Sequence, residues 1–198
     1  MSVTSVVSIC NSALIKLGAE RISSINEDVK AAILCKEQYY KSRDNLLRNH
    51  NWNFATIRVS LGRDSEAPAF GFSYRYQIPT DCVKVVSVYP DSNHQIEGRY
   101  ILSNESSLSA KYISNGIDVA YYDMNFVEAL ALRLAIDLCW SITQSNEREQ
   151  NLKDTLKTVL PDSRSTDAQE GEPPSYVHDT WLDSRLVGPD IGLISTDE

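Results

Sequence analysis

This chain has little of what site chemistry usually requires. Its 198 residues include three histidines, four cysteines and eight glycines. His50, His94 and His178 fall at an expected helix end, in an expected turn and near the C-terminus, and none has a partner at metal-ligand spacing. Cys10, Cys35, Cys82 and Cys139 have neither metal nor redox spacing. Three of them sit in apolar helical runs, where a thiol acts as a small hydrophobe, so free structural cysteines are expected. The glycines form no phosphate-cradling pattern. Two pairings can be drawn, Cys82 with His94 beside Asp81, and Asp118 with Asp123. Nothing in the spacing places the first pair together, and the second fits turns and strand ends better. No basic segment leads into an apolar stretch at the N-terminus, so no signal peptide is expected. Catalytic, cofactor-binding and metal-binding residues are therefore expected to be absent, and the chain is not read as an enzyme.

Positive charge is also scarce. The formal charge is −8, from 19 basic and 27 acidic residues. Residues 161–198 carry nine of the acids against Arg164 and Arg185, a local charge of −7, so residues 1–160 are almost neutral at −1. Neither part offers the basic surface that nucleic-acid affinity requires.

What the chain does have is a strong central helix signal. In residues 126–142 (FVEALALRLAIDLCWSI), thirteen of seventeen positions are apolar. Arg133, Asp137 and Ser141, four apart, form one narrow polar stripe, and Glu128 stands in the first turn, where a carboxylate suits the helix dipole. A helix apolar on nearly every side is buried or in a membrane, and three charges in so short a run argue against a span. This is the expected core helix, with Arg133 and Asp137 as an i,i+4 pair.

The remaining elements follow in order. Residues 4–17 read as a helix capped by Thr4 or Ser5 and left through Gly18. Ser24 and Glu27 form a capping box that would open a long helix to about His50, with Asn26 as a rival cap. Its buried side is expected to use Val29, Ile33, Tyr40 and Leu47, with Lys30, Glu37, Lys41 and Asp44 outward. Trp52 and Phe54 read as a core plug. Strands are expected over residues 56–61, 73–78, 83–89, 99–102, 108–114 and 118–122, with Asn115-Gly116 as a hairpin turn. A last helix spans about residues 146–160, opened by a capping-box-like Asn146 with Glu149, striped by Leu152, Leu156 and Val159 or Leu160, and ended by Pro161. The fold class is α+β: about four bundled helices, an inserted small antiparallel β domain, and an extended C-terminal arm. The divisions are a helical body over 1–55 and 124–160, the β domain over 56–123, and an acidic docking arm over 161–198.

Two groups of residues are candidates for contact. The arm lacks the composition for a core, yet carries Tyr176, Trp181, Leu182, Arg185 and Leu186, as a segment that orders on another surface would, here expected to be the portal or a neighbouring copy. The β segment is rich in tyrosine. Tyr74, Tyr76, Tyr100 and Tyr112 are either strand formers with polar tips or a rigid amphipathic face for protein or carbohydrate.

Several segments together resemble one family. They are Cys10-Asn11-x-Ala13-Leu14-x-x-Leu17-Gly18, Leu46-Leu47-Arg48 with Trp52-Asn53-Phe54-Ala55, and Gly71-Phe72-x-Tyr74-x-Tyr76-x-Ile78-Pro79-x-Asp81-Cys82. Tyr112-Ile113, Phe126-x-Glu128-Ala129-Leu130-Ala131-x-Arg133-Leu134-Ala135 and Asp167-Ala168-Gln169-Glu170-Gly171 complete the set. The chain resembles the head-to-tail adaptors of short-tailed phages, the tail tubular protein A family, over about residues 5–190. The resemblance implies a helical bundle with an inserted β domain and an embracing C-terminal segment. It further implies a virion location at the head–tail junction and a ring, usually dodecameric, between the portal protein and the tail nozzle protein. DNA would pass through that ring without sequence-specific binding, with no cofactor, no membrane and no catalysis. A carbohydrate-binding or glycan-cleaving tail component using the tyrosine-rich segment is the alternative, and an unrelated cytosolic enzyme ranks below both.

Overall fold

The computed structural model describes residues 4–169. The arm candidates Tyr176, Trp181, Leu182, Arg185 and Leu186 lie outside the described residues. The architecture is α+β, with four α-helices, two 3₁₀ turns and six strands in two antiparallel three-stranded sheets among the described residues.

Helix α1 (Val6–Leu17) begins where Ser5 and Ser8 exchange side-chain and backbone hydrogen bonds. It ends at Gly18, whose φ of 69° is the left-handed exit that only glycine adopts without cost. Arg148 closes that end by donating to the Leu17 carbonyl. Helix α2 (Lys30–Asn49) starts later than the Ser24 signal implies. Glu27 does accept from the Ser23 and Ser24 amides, but this box closes a tight turn and no helix follows it directly.

The apolar face of α2 also differs from expectation. Ala32, Cys35, Tyr39, Ser42, Leu46 and Leu47 are buried, whereas Val29, Ile33 and Tyr40 are 46%, 45% and 51% exposed. The outward set has helical spacing, so α2 has two apolar stripes, and periodicity alone does not say which faces the protomer's interior.

Helix α3 (Met124–Thr143) is the centre of the trunk, and α1, α2 and α4 all pack on it. Asp123 caps it by accepting from the Asn125 and Phe126 amides. Its polar stripe faces α2. Asp137 accepts from Arg133 at 3.2 Å and from the Ser42 hydroxyl at 2.6 Å, and Lys30 donates to the Ser141 carbonyl.

Helix α4 (Asn146–Gln169) does not stop at Pro161. Its cap is Ser145, whose hydroxyl accepts from the Arg148 amide, one residue before the expected Asn146. Proline inside a helix forfeits one backbone bond and crowds the preceding turn, a cost of about 3 kcal/mol or more. Beyond it, buried Ser163 donates to the Val159 carbonyl and buried Asp167 bonds to the trunk, which offsets that loss. The first nine residues assigned to the arm are therefore trunk helix.

Strands β1 (Thr56–Leu61), β3 (Cys82–Tyr89) and β6 (Leu108–Ser114) form one sheet in the order β1-β6-β3. Strands β2 (Tyr74–Gln77), β4 (His94–Glu97) and β5 (Tyr100–Ser103) form the other in the order β2-β5-β4. Two local expectations fail here. The hairpin turn is Gly98-Arg99, with Gly98 at φ 57° between the paired Glu97 and Tyr100. Asn115-Gly116 instead leads out of β6, its geometry taken by the Asn115 amide bonding to the Asp81 carbonyl. The expected strand 118–122 is a 3₁₀ turn, Val119–Tyr121, capped by the Asp118 side chain.

Two cores result. The larger joins the helices to Trp52, Ala55, Ile113 and Tyr122. The smaller contains Leu61, Tyr76, Ile78, Val88, Ile101, Leu108 and Ala110. Strand β6 serves both, since alternate residues of a strand face opposite sides: Leu108 and Ala110 enter one core and Ile113 the other.

Candidate interaction surfaces

The residues singled out in the sequence separate into structural joints and free surface. Trp52 is fully buried, with its indole N–H donating to the Leu46 carbonyl at 3.1 Å. Phe126 of α3 meets it edge-on at 5.1 Å between ring centroids and meets Phe54 at 4.9 Å, so the plug reading holds. On the other side of this joint, Asp167 bonds to the His50 ring at 2.9 Å and accepts from the Asn53 backbone amide at 3.0 Å. The Asn53 side chain returns a bond to the Asp167 carbonyl. Sequence reasoning missed this clamp because its partners are separated by more than one hundred positions.

A second joint lies at the start of β3. Asp81 accepts from the Tyr112 and Ser114 hydroxyls and so ties β3 to the end of β6. Burial, reinforced by the Asp81 charge, pushes the Tyr112 phenol up to about 12. Tyr76 is raised too, by burial, and its hydroxyl donates to the Glu105 carbonyl at 2.6 Å.

The four candidate tyrosines do not form one surface. Tyr76 and Tyr112 are 1% and 5% exposed, so they are core residues in the protomer and not contact residues. Their place on the inward face of alternating strands explains the correction. Tyr74 and Tyr100 are half-buried, each under a guanidinium: Arg63 lies 5.0 Å from the Tyr74 ring and Arg75 lies 4.6 Å from the Tyr100 ring. Arg75 also pairs with Asp64 and Glu66.

The chemistry candidates are likewise dispersed. Cys82 lies on β3, its thiol raised chiefly by burial, while His94 lies on β4 with its ring bonded to the Ser92 carbonyl. No hydrogen bond joins the two. Asp118 and Asp123 are helix caps rather than a carboxylate pair. The four cysteines are free. Buried Cys10 is raised by its hydrogen bond with Cys35 and by desolvation, which keeps its thiol protonated. Among the described residues no three His, Cys, Asp or Glu side chains are grouped to hold a metal ion, and no helix is long and apolar enough to cross a membrane.

Three surface features bear on contact with another molecule. The first is the outer stripe of α2, formed by Val29, Ile33 and Tyr40. The second is a cleft of about 480 Å³ between loop residues 67–72 and the β4–β5 hairpin, where Phe70, Phe72 and Tyr100 meet Gln95, Glu97 and Arg75. The third is a groove of about 340 Å³ where the end of α2 meets β3 and the hairpin, lined by Arg48, Lys84 and Arg99 with Val83, Val85 and Ile96.

No protein-family model matches this chain, and no curated protein matches it in sequence.

Proposed function

We propose that this chain is a non-enzymatic adaptor of a phage virion, a ring subunit that joins the portal protein to the tail nozzle protein around the channel for DNA. The observation that carries this reading is the convergence of three segments of the family resemblance at one joint. Trp52-Asn53-Phe54-Ala55 packs on Phe126 of the central helix and is clamped by Asp167, so segments distant in the chain serve a single scaffold. The exposed stripe on α2 adds a physical reason. A ring subunit needs a patch pair repeated around the rotation axis, and aromatic and branched residues on a rigid helix suit such contacts. The dodecameric copy number follows from the resemblance alone.

The test is to mix purified chain with purified portal and measure native mass, with negative-stain images of the product. A portal-bound ring of chains is expected. A chain that remains unbound at high portal concentration overturns the reading.

The aromatic cleft favours a second reading, a carbohydrate-binding tail component. Phe70 and Tyr100 offer ring faces and Gln95, Glu97 and Arg75 offer hydrogen bonds, but Glu97 is the one carboxylate in the lining. Glycoside cleavage ordinarily uses two carboxylates, so this cleft suits binding and not hydrolysis. Glycan-array binding abolished by Tyr100→Ala would favour this reading, and a blank array would remove it.

A further inference from the structure

The groove between α2, β3 and the β4–β5 hairpin combines charge and apolar surface in a way the trunk does not explain. Arg48 donates to the Val83 carbonyl at 2.8 Å, Lys84 to the Asn51 side-chain oxygen at 3.0 Å, and Arg99 to the Pro79 carbonyl at 2.6 Å. Every one of these acceptors is neutral. Among the described residues none of the three cations forms a salt bridge, and no carboxylate lines the groove. The nearby Asp81 carboxylate is already engaged by Tyr112 and Ser114. Between the cations lie Val83, Val85 and the half-exposed Ile96. In a trunk of almost zero net charge, three converging cations are a local excess that suits an anionic, partly apolar ligand.

The chain carries such a ligand. Residues 170–198 contain seven acidic residues and one arginine, a formal charge of −6, together with Tyr176, Trp181, Leu182 and Leu186. They also begin in the right place. The last described residue, Gln169, stands two positions after Asp167, which is bonded to His50 and Asn53, while Asn51, next to His50, accepts from Lys84 at the groove. From Gln169 to Tyr176 an extended chain reaches at most about 25 Å, ample for the first aromatic anchor to enter. A segment tethered beside its site has a high effective concentration, so modest contacts suffice to hold it.

We propose that the Arg48–Lys84–Arg99 groove is the docking site for the acidic segment 170–198 of the same chain. Aspartates of the segment meet the three cations, and its aromatic and leucine side chains cover Val83, Val85 and Ile96. This inference concerns the isolated chain and does not rest on the adaptor reading; an embracing role in an assembly would require the segment to leave this groove.

The experiment uses the full-length chain without any partner. Carbodiimide coupling in an equal mixture of isotope-labelled and unlabelled chain, read by mass spectrometry, is expected to link Lys84 to carboxylates of residues 170–190 in pairs of a single isotope. Hydrogen exchange is expected to show protected amides over residues 176–187. Lys84→Glu is expected to reduce that protection about ten-fold. Because Lys84→Glu could also disturb β3, the unaltered chain is tested in parallel. There, raising salt shortens the screening length to about 3 Å at 1 M and is expected to weaken protection in the same segment. Three results overturn the proposal. Mixed-isotope pairs would assign the groove to the segment of a second copy. Unprotected amides over residues 176–187 in the unaltered chain would show no docking. Protection indifferent to both salt and Lys84→Glu would place the segment on another surface.

Discussion

Helices α2 and α3 are equal in length, yet they relate to the trunk in different ways. Helix α3 is apolar almost all round and is buried along most of its faces, with its polar stripe satisfied by α2 and Met124 and Trp140 exposed near its two ends. Helix α2 buries one face and leaves a second apolar stripe in the open. The difference teaches that burial inside a protomer and apolar character are separate properties. A helix can be covered by its own chain along most of its length, as α3 is apart from Met124 and Trp140, or carry a whole apolar stripe its own described chain leaves uncovered, as α2 does.

The strongest way to break that comparison is to damage the completed side. Trp52→Ala removes the buried ring between α2 and α3 and is expected to cost about 3–5 kcal/mol, read as a lower urea midpoint with unchanged slope. A loss below about 1 kcal/mol would mean that the joint is not a principal source of stability. Asp167→Ala ranks next. It leaves the Asn53 amide and the His50 ring without their acceptor, for an expected loss of about 2–3 kcal/mol in the same titration, with residues 161–169 gaining the fastest hydrogen exchange of the trunk.

The β domain supplies a smaller, pH-dependent effect. The Tyr112 phenol is neutral in the fold and its folded value, about 12, lies above the ordinary 10.0. Its contribution is therefore fully present below pH 10 and is lost as pH rises toward 12. Tyr112→Phe is expected to cost about 1 kcal/mol at neutral pH through the lost Asp81 hydrogen bond, and to flatten the alkaline fall in stability. A parallel alkaline fall in both proteins would contradict this. At the far end of the scale, Ile33→Gln on the outer stripe is expected to change protomer stability by no more than about 0.5 kcal/mol, since the side chain is half-exposed. A core-sized loss there would show that the stripe belongs to the protomer's own packing after all.

What the sequence made legible follows the same division. Helix α3 was readable because no rotation of so apolar a helix leaves it exposed, and Arg133–Asp137 followed from spacing alone. Five of the six strands were visible in runs of β-branched and aromatic residues. The missed one, β4, is a polar edge strand (His94–Glu97) whose residues owe their conformation to pairing with β5. Local signals failed where tertiary bonds took over. Pro161 reads as a stop, but Asp167 reaches across to His50 and Asn53 and keeps the helix going. Asn115-Gly116 reads as a hairpin, but the Asn115 amide is claimed by Asp81. Tyr76 and Tyr112 read as strand formers with polar tips or as a contact face, and only the packing of the two sheets puts both in the interior. The error on α2 differs in kind: of the expected buried stripe only Leu47 is buried, while Val29, Ile33 and Tyr40 face outward.

We propose that α2 carries, on its outer stripe, the surface by which this chain joins an assembly. The most direct test places Val29→Asp and Ile33→Asp together in the full-length chain, confirms the fold by circular dichroism, and measures the native mass of its mixture with purified portal. The account predicts a folded chain that no longer joins the portal-bound ring. A full ring of the doubly substituted chain, formed at the same concentrations as the unaltered one, would contradict it.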